Sequence, residues 1–502
     1  MLLITWLLSF ILSSVIAQAG FDWNSTEPTT NLSWVDCYSG YQCSRFRVPL
    51  NYSDPENGQS AVIAVIKLPA QGSASEYGGS IFSNPGGPGV SGVNYVLESG
   101  RRVQSIVGSQ FDVISFDPRG VNFSTPRISV FHSEEEQSDW ALHEPADSNS
   151  TQEALPEAWA RYQAFGEFAL SRDTGILNFV STANVARDML GMAEALGLEK
   201  LHFYGTSYGT YLGAVFASMF PDRVGNFVLD GCLDMDGALN NDLASLIVDT
   251  DKSMQTFYDS CHSAGPDSCP FYSSSPSEIE AALNDIYETV RLQPVPVSSG
   301  DTFGVLTYDR LRGAILAALE YPPLFPTLAE GLAELQAGNG TIIYHSGTAT
   351  VAGLSWDALV AIWCSDTNPS DADAEQLRQY MSKINSTFAG MESLPMMNRC
   401  AGWKYHPDER FKGPFGGNTS SPLLLIGNTA DPITPLSQAK KTSSVFPGSI
   451  VLTQDSPGHT TTGTNSTCTH QHIAAYFANG TLPEEGTVCS LDEPLFPDVA
   501  KR

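Results

Sequence analysis

The chain is 502 residues long, 42% hydrophobic and only 16% charged, a balance that suits a large buried core and excludes a disordered polymer. Lys and Arg total 26 against 55 Asp and Glu, for a formal net charge of −29. A surface of that sign repels phosphate backbones and anionic headgroups, so no nucleic-acid partner is expected and an acidic or extracellular medium fits.

In chain order, residues 1–19 read as a signal peptide: an apolar run from Met1 to Ile16 ends in Ala17-Gln18-Ala19, the small-x-small pattern of a cleavage site. No Lys or Arg precedes the run, which leaves an uncleaved anchor as the alternative, although the stretch is short for a membrane span. Asn-x-Ser/Thr sequons stand at Asn24, Asn31, Asn51, Asn122, Asn149, Asn339, Asn385, Asn418, Asn465 and Asn479. The cysteines lack CxxC spacing, which argues against zinc or redox motifs and for disulfides. Close spacing suggests Cys37 with Cys43 and Cys261 with Cys269. Cys364 with Cys400 and Cys468 with Cys489 follow as a guess, leaving Cys232 as a buried free thiol. The expectation is a secreted, glycosylated monomer with no membrane anchor after cleavage.

Strands are expected over Phe46 to Pro49 and Ala61 to Leu68, separated by the turn-forming Asp54-Pro55-Glu56-Asn57-Gly58. Short apolar runs follow at Ser80 to Phe82, Phe111 to Phe116, Leu201 to Tyr204 and Asn226 to Leu229, then at Leu423 to Ile426 and Ile450 to Leu452. Between them the spacing of Val185, Met189, Met192 and Ala193 gives a helix, as does Leu212 to Phe220, which Pro221 ends. Such alternation predicts an α/β fold with a mostly parallel, doubly covered sheet. The strand rhythm breaks over 235–421, where Ile279, Leu283, Ile286 and Val290 form one helical stripe opened by a capping box at Ser275 to Glu278. The organisation expected is therefore a core over 37–234, a helical lid inserted over 235–421, and a second core part over 422–495.

Gly205-Thr206-Ser207-Tyr208-Gly209 lies between a strand and a helix, the setting of a nucleophile elbow, where a serine sits on a strained turn between small neighbours. This points to the α/β-hydrolase fold with Ser207 as nucleophile. Asn84-Pro85-Gly86-Gly87-Pro88-Gly89 follows an earlier strand, so a backbone N–H of this turn and that of Tyr208 are the expected oxyanion donors. Asp431 and His459 each follow a later strand, in the order Ser, Asp, His that this fold uses. His459 would take the serine proton and Asp431 would orient the imidazole. Asp230, at the end of its strand, is the rival acid. A histidine of ordinary pKa near 6.5 should set the acid limb of activity. Phe116-Asp117-Pro118-Arg119-Gly120 reads as an Asp–Arg lock near the site. Cys232 has no histidine placed to activate it and reads as inert. No metal or other cofactor is implied.

These motifs, with Leu229-Asp230-Gly231, Ala361-Ile362-Trp363-Cys364-Ser365-Asp366, Cys400-Ala401-Gly402-Trp403, Asp431-Pro432-Ile433-Thr434-Pro435, Gly458-His459-Thr460 and Gly480-Thr481-Leu482-Pro483, resemble the secreted tripeptidyl aminopeptidase family of α/β hydrolases. The resemblance spans roughly residues 40 to 495, apart from about 130 to 180. It implies Ser207, Asp431 and His459 as the triad, Gly87 with Tyr208 as oxyanion donors, and an exopeptidase that releases short peptides from a free N-terminus. A carboxylate would hold the substrate ammonium, with Asp366 the candidate. The alternatives are an esterase or amide hydrolase acting on a small metabolite, and a binding protein on a hydrolase fold without catalysis.

Overall fold

The computed structural model describes residues 21–497, apart from 145–146, 149, 301, 347–352, 385, 387 and 389–392. The leader and the sequons at Asn149 and Asn385 lie outside the described residues. The strands are β1 (Val35–Cys37), β2 (Tyr41–Pro49), β3 (Ser60–Leu68), β4 (Gly79–Asn84), β5 (Phe111–Phe116), β6 (Leu201–Thr206), β7 (Val224–Asp230), β8 (Val295–Ser299), β9 (Thr302–Leu306), β10 (Leu424–Ala430), β11 (Ile450–Pro457) and β12 (Val488–Ser490).

Ten of them form one sheet in the order β1-β2-β3-β5-β4-β6-β7-β10-β11-β12. The first four strands of that order pair antiparallel, and every pairing from β5 onward is parallel. Period-two alternation explains why both faces are covered. Val65, Phe82, Ile114, Phe227 and Leu425 join one core with the helices Thr182–Ala195 and Tyr208–Met219. Their neighbours Ile66, Ile81, Val113, Val228 and Leu424 join the opposite core with the helices Gly92–Val107 and Thr467–Asn479. This is an α/β-hydrolase sheet, as the strand pattern predicts.

Between β7 and β10 the chain leaves the sheet, and the structure divides this excursion in two. Helices Thr250–Ala264, Pro276–Leu292, Tyr308–Glu320 and Phe325–Gln336 close a separate core around Phe257, Leu283, Ile315 and Phe325. The β8–β9 hairpin sits on that body, an element the largely helical pattern of the sequence did not indicate. Helix Trp356–Asp366 and the segment reaching Trp403 and Tyr405 instead belong to the main core.

That second segment is braced by helix Ala154–Arg172, from the stretch the family resemblance does not reach. The two approach so closely that a Cβ on Gly166 would stand 1.8 Å from the Gly402 carbonyl oxygen. At Pro276–Leu292, Ser275 caps the Glu278 N–H at 3.3 Å, but the Glu278 carboxylate turns to the backbone N–H and hydroxyl of Ser274 rather than closing the box on Ser275.

All four expected disulfides are present, Cys37–Cys43, Cys261–Cys269, Cys364–Cys400 and Cys468–Cys489, and Cys232 is free and buried. The Asp–Arg lock is not formed. Asp117 accepts from Ser91 Oγ and from the N–H groups of Val93 and Phe123, at 2.6, 3.0 and 2.9 Å. Arg119, fully buried, pairs with Asp188 at 2.6 and 2.8 Å and donates to the carbonyls of Pro49, Leu50 and Phe179. The two residues point to different partners: Asp117 meets a hydroxyl and two backbone N–H donors, whereas the Arg119 guanidinium meets the Asp188 carboxylate and three backbone carbonyls. Among the described residues no helix is long and apolar enough to cross a membrane.

Candidate active site

Ser207 stands between β6 and the helix Tyr208–Met219 with φ 55° and ψ −126°, a left-sided backbone rarely taken by a residue with a side chain. Such strain costs about 1–3 kcal/mol and persists only where the surroundings enforce it. They do so here. The Ser207 N–H donates to the Asp230 carbonyl at 3.1 Å, and its own carbonyl accepts from the N–H and hydroxyl of Thr210 at 2.8 and 2.6 Å. The flanking glycines are required by contact, since a Cβ on Gly205 would lie 2.5 Å from the Gly209 carbonyl oxygen, and one on Gly209 2.5 Å from that of Asn84.

The glycine-rich turn after β4 packs onto this elbow. A Cβ on Gly86 would stand 2.8 Å from Ser207 Cβ and 3.1 Å from the Tyr208 nitrogen. Asn84 Oδ1 holds the Gly86 N–H at 3.0 Å, and Thr206 Oγ1 donates to the Pro85 carbonyl at 3.1 Å. Further along the turn, Gly89 accepts the Ser355 N–H at 3.0 Å, which ties it to the start of helix Trp356–Asp366.

From the far side, β10 delivers Asp431 and β11 delivers His459. His459 Nδ1 lies 3.2 Å from both Asp431 carboxylate oxygens and 3.0 Å from Thr434 Oγ1. Asp431 is fully buried and also accepts from the N–H groups of Ile433, Thr434 and Thr460 and from the Thr434 hydroxyl. Burial works against its charge, but the His459 charge and these donors hold its carboxyl below the ordinary value. For His459 burial alone would lower the pKa. The charge and hydrogen bond of Asp431, followed by Glu320 and Asp230, carry it up to about 9 instead, well above the ordinary value expected from sequence.

Asp230 does not hydrogen-bond His459. Its carboxylate accepts from the N–H and hydroxyl of Thr461, at 3.0 and 2.6 Å, and from the Tyr204 hydroxyl at 3.0 Å, and burial pushes its pKa up to about 6. Asp366, the carboxylate expected to meet the substrate ammonium, is not among the described residues that line the cavity beside Ser207. It is buried away from the cavity, accepting from the N–H of Thr182 at 2.8 Å and from its hydroxyl, which also meets the Tyr208 hydroxyl. Burial pushes the Asp366 carboxyl up to about 7. Its place is behind the elbow, bracing the residue that follows Ser207.

Ser207, His459 and Gly87 line one cavity of about 630 Å³. Its walls include Val90 and Leu359 on one side, Tyr95 and Arg102 on the helix Gly92–Val107, and Glu320 and Tyr321 from the inserted body. Among the described residues lining this space Glu320 is the one carboxylic acid, and its backbone carbonyl accepts the His459 N–H at 2.8 Å. Burial raises its carboxyl pKa, an effect opposed by the His459 charge and reinforced by Asp431. Sequence reasoning missed both Glu320 and Thr434. Thr434 carries a readable signal, a hydroxyl three residues after an aspartate that closes a turn back onto it. Glu320 carries none beyond ending a helix before Pro322-Pro323.

Of the described sequon asparagines, Asn24, Asn31, Asn339, Asn418, Asn465 and Asn479 are exposed and Asn51 is half-buried. Asn122 is poorly placed for a glycan. Its side-chain amide donates to Ser91 Oγ at 3.0 Å, and Ser124 of the same sequon is fully buried.

Residues 80–269 match the family model of the α/β hydrolase fold, and residues 386–489 match that of TAP-like proteins. Among curated relatives, the serine protease Hip1 of Mycobacterium tuberculosis (strain H37Rv) is 28% identical, over 91% of each chain. A tripeptidyl aminopeptidase of Streptomyces coelicolor is 26% identical over 94% of this chain and 86% of its own. A carboxylesterase B of Mycobacterium tuberculosis (strain CDC 1551) is 28% identical over 89% of this chain and 86% of its own.

Proposed function

We propose, from the premise that this chain belongs to the TAP-like branch of the α/β hydrolases and is a serine hydrolase, that it is a secreted exopeptidase releasing short peptides, tripeptides among them, from free N-termini. The observation that carries the reading is the shared cavity: Ser207, an imidazole backed by a buried aspartate, and one carboxylate, Glu320, all face the same space. A carboxylate there offers a charge-assisted partner to a substrate ammonium, the group that distinguishes a chain end from an internal segment.

In this reading the Ser207 hydroxyl attacks the scissile carbonyl while His459 Nε2 takes its proton. Asp431 and Thr434 hold the other ring nitrogen, so the imidazolium that forms is oriented and stabilised. Negative charge on the carbonyl oxygen is met by the N–H groups of Tyr208 and Gly87. His459 then protonates the departing amine, and water, deprotonated by the same imidazole, releases the acyl group. Glu320 takes the role first expected of Asp366. The leader, the disulfides and the exposed sequons support passage through an oxidising, glycosylating route. The net charge of −29 supports a peptide or small-molecule partner rather than nucleic acid, and a monomer free of the membrane fits the same reading.

The test compares the wild type and Ser207→Ala on free-amine tripeptidyl amides, their N-blocked versions and short acyl esters. Cleavage of the free-amine set alone, abolished in the mutant, supports the exopeptidase. The second reading, an esterase, is favoured by the apolar Val90, Leu354 and Leu359 in the cavity wall and would show as ester turnover indifferent to a free amine.

A further inference from the structure

The chain has more than two acidic residues for each basic one, 55 against 26, yet only some of its described arginines meet a carboxylate. Arg119, Arg172 and Arg223 do, at 2.6, 2.9 and 2.9 Å. Arg102 does not. No described carboxylate lies within 4.0 Å of it, and its one hydrogen bond, 3.3 Å from Nη2, goes to the neutral amide oxygen of Asn465. That contact orients the guanidinium without neutralising it.

Its position gives this free charge a meaning. Arg102 lines the 630 Å³ cavity that holds Ser207 and also a second cavity of about 290 Å³, with Tyr321 the other residue shared by both. The guanidinium therefore stands where the two spaces meet. Beyond it the second cavity is walled largely by prolines and leucines, with Glu493 the one acidic residue among the described lining residues.

Arg102 and Glu320 do not pair with each other. The charges acting on the Glu320 carboxyl are His459 and Asp431, whereas Arg102 acts on Tyr95 and His470. The cavity that holds Ser207 is thus lined by two residues of opposite charge that do not pair with each other. That pattern complements a short zwitterion, and the volume falls in the range of about 300–1,000 Å³ common to small-ligand sites.

We propose that Arg102 is a second substrate anchor, binding the terminal carboxylate of the leaving segment, so that the cavity selects short oligopeptides by both of their ends. This rests on the exopeptidase reading and deepens it, naming free oligopeptides rather than folded or long chains as the substrates. The guanidinium fork matches a carboxylate in two parallel hydrogen bonds, which an ammonium cannot do. The reaction itself is unchanged: the peptide bond is hydrolysed, and the leaving amine carries its carboxylate away from Arg102 as product.

The experiment uses the full-length secreted protein and matched free-amine tetrapeptides and decapeptides, each with a C-terminal carboxylate or a C-terminal amide. For the wild type the tetrapeptide acid should exceed its amide by about fivefold to tenfold in kcat/KM, mostly through KM, and the decapeptide pair should not differ. In Arg102→Gln the acid-to-amide ratio should fall to about one, and in Arg102→Lys it should recover in part. The ratio within each variant cancels any general loss of activity. Equal wild-type turnover of the tetrapeptide acid and amide overturns the proposal, as does a preference that survives in Arg102→Gln. If no free-amine peptide is cleaved while esters are, the exopeptidase reading fails and the Arg102 assignment fails with it.

Discussion

Replacing Glu320 with Gln should move the pH profile of this enzyme toward acid. The rise of the His459 pKa from 6.5 to about 9 corresponds to about 3 kcal/mol in favour of the imidazolium, at 1.36 kcal/mol per pH unit. Asp431 supplies the larger share through its charge and hydrogen bond, and Glu320 follows. Glu320→Gln keeps the shape of the side chain and removes one charge, so the imidazole should lose its proton about one pH unit lower, an effect of ~1.4 kcal/mol.

A base must be neutral, so kcat/KM rises as the proton leaves, toward about pH 9 in the wild type. Stability runs the other way. The fold's preference for the imidazolium contributes fully below the ordinary pKa and is lost as pH rises from 6.5 through about 9. The assay is kcat/KM on a neutral acyl ester between about pH 5 and 10, corrected for spontaneous hydrolysis. An ester without an amine keeps the proposed ammonium contact of Glu320 out of the measurement. A wild-type limb centred at or below pH 6.5, or one that Glu320→Gln leaves in place, would refute the electrostatic argument.

Two further outcomes follow from contacts in the core. Gly209→Ala should abolish ester and peptide turnover alike, because its methyl would press within 2.5 Å of the Asn84 carbonyl and force the elbow away from the glycine-rich turn; retention of more than a tenth of wild-type kcat/KM, about 1.4 kcal/mol, would contradict it. Asp188→Asn should lower unfolding free energy by about 3–5 kcal/mol in a denaturant titration, since it leaves the buried Arg119 charge uncompensated.

The parts of this fold most legible in the sequence are those where one residue type has one use. Runs such as Val62 to Ile66 and Leu423 to Ile426 can be buried on both faces only in the middle of a covered sheet, and Gly205 and Gly209 are required by backbone contacts at the elbow. Strands β1 and β12 were not visible because three residues show no period. The β8–β9 hairpin was hidden by Pro296 in its first strand and by Phe303, 85% exposed, on its second, which breaks the usual sense of burial.

The site was legible along the chain but not across it. Ser207, Asp431 and His459 are tied to strand ends, and strand order fixes where those ends lie. Asp366 and Glu320 both sit in the excursion from the sheet, at the ends of helices, and only the docking of each helix decides which carboxylate reaches the cavity. Arg102 occupies one turn of an otherwise unremarked helix, and its lack of an acidic neighbour depends on segments far away in sequence.

The excursion between β7 and β10 also sets an order of assembly during synthesis. The strand, elbow and helix that hold the proposed nucleophile, Ser207, are complete in the nascent chain while the segments carrying Asp431 and His459 have yet to be made. Chains fold largely from the N-terminal end as they emerge, and β10 can dock on β7 only after the whole intervening body has been threaded out. Until then Ser207 has neither the base nor the acid proposed for it. A cell making this protein would carry an inert hydroxyl through translation, with hydrolytic capacity arriving only when the last strands join the sheet.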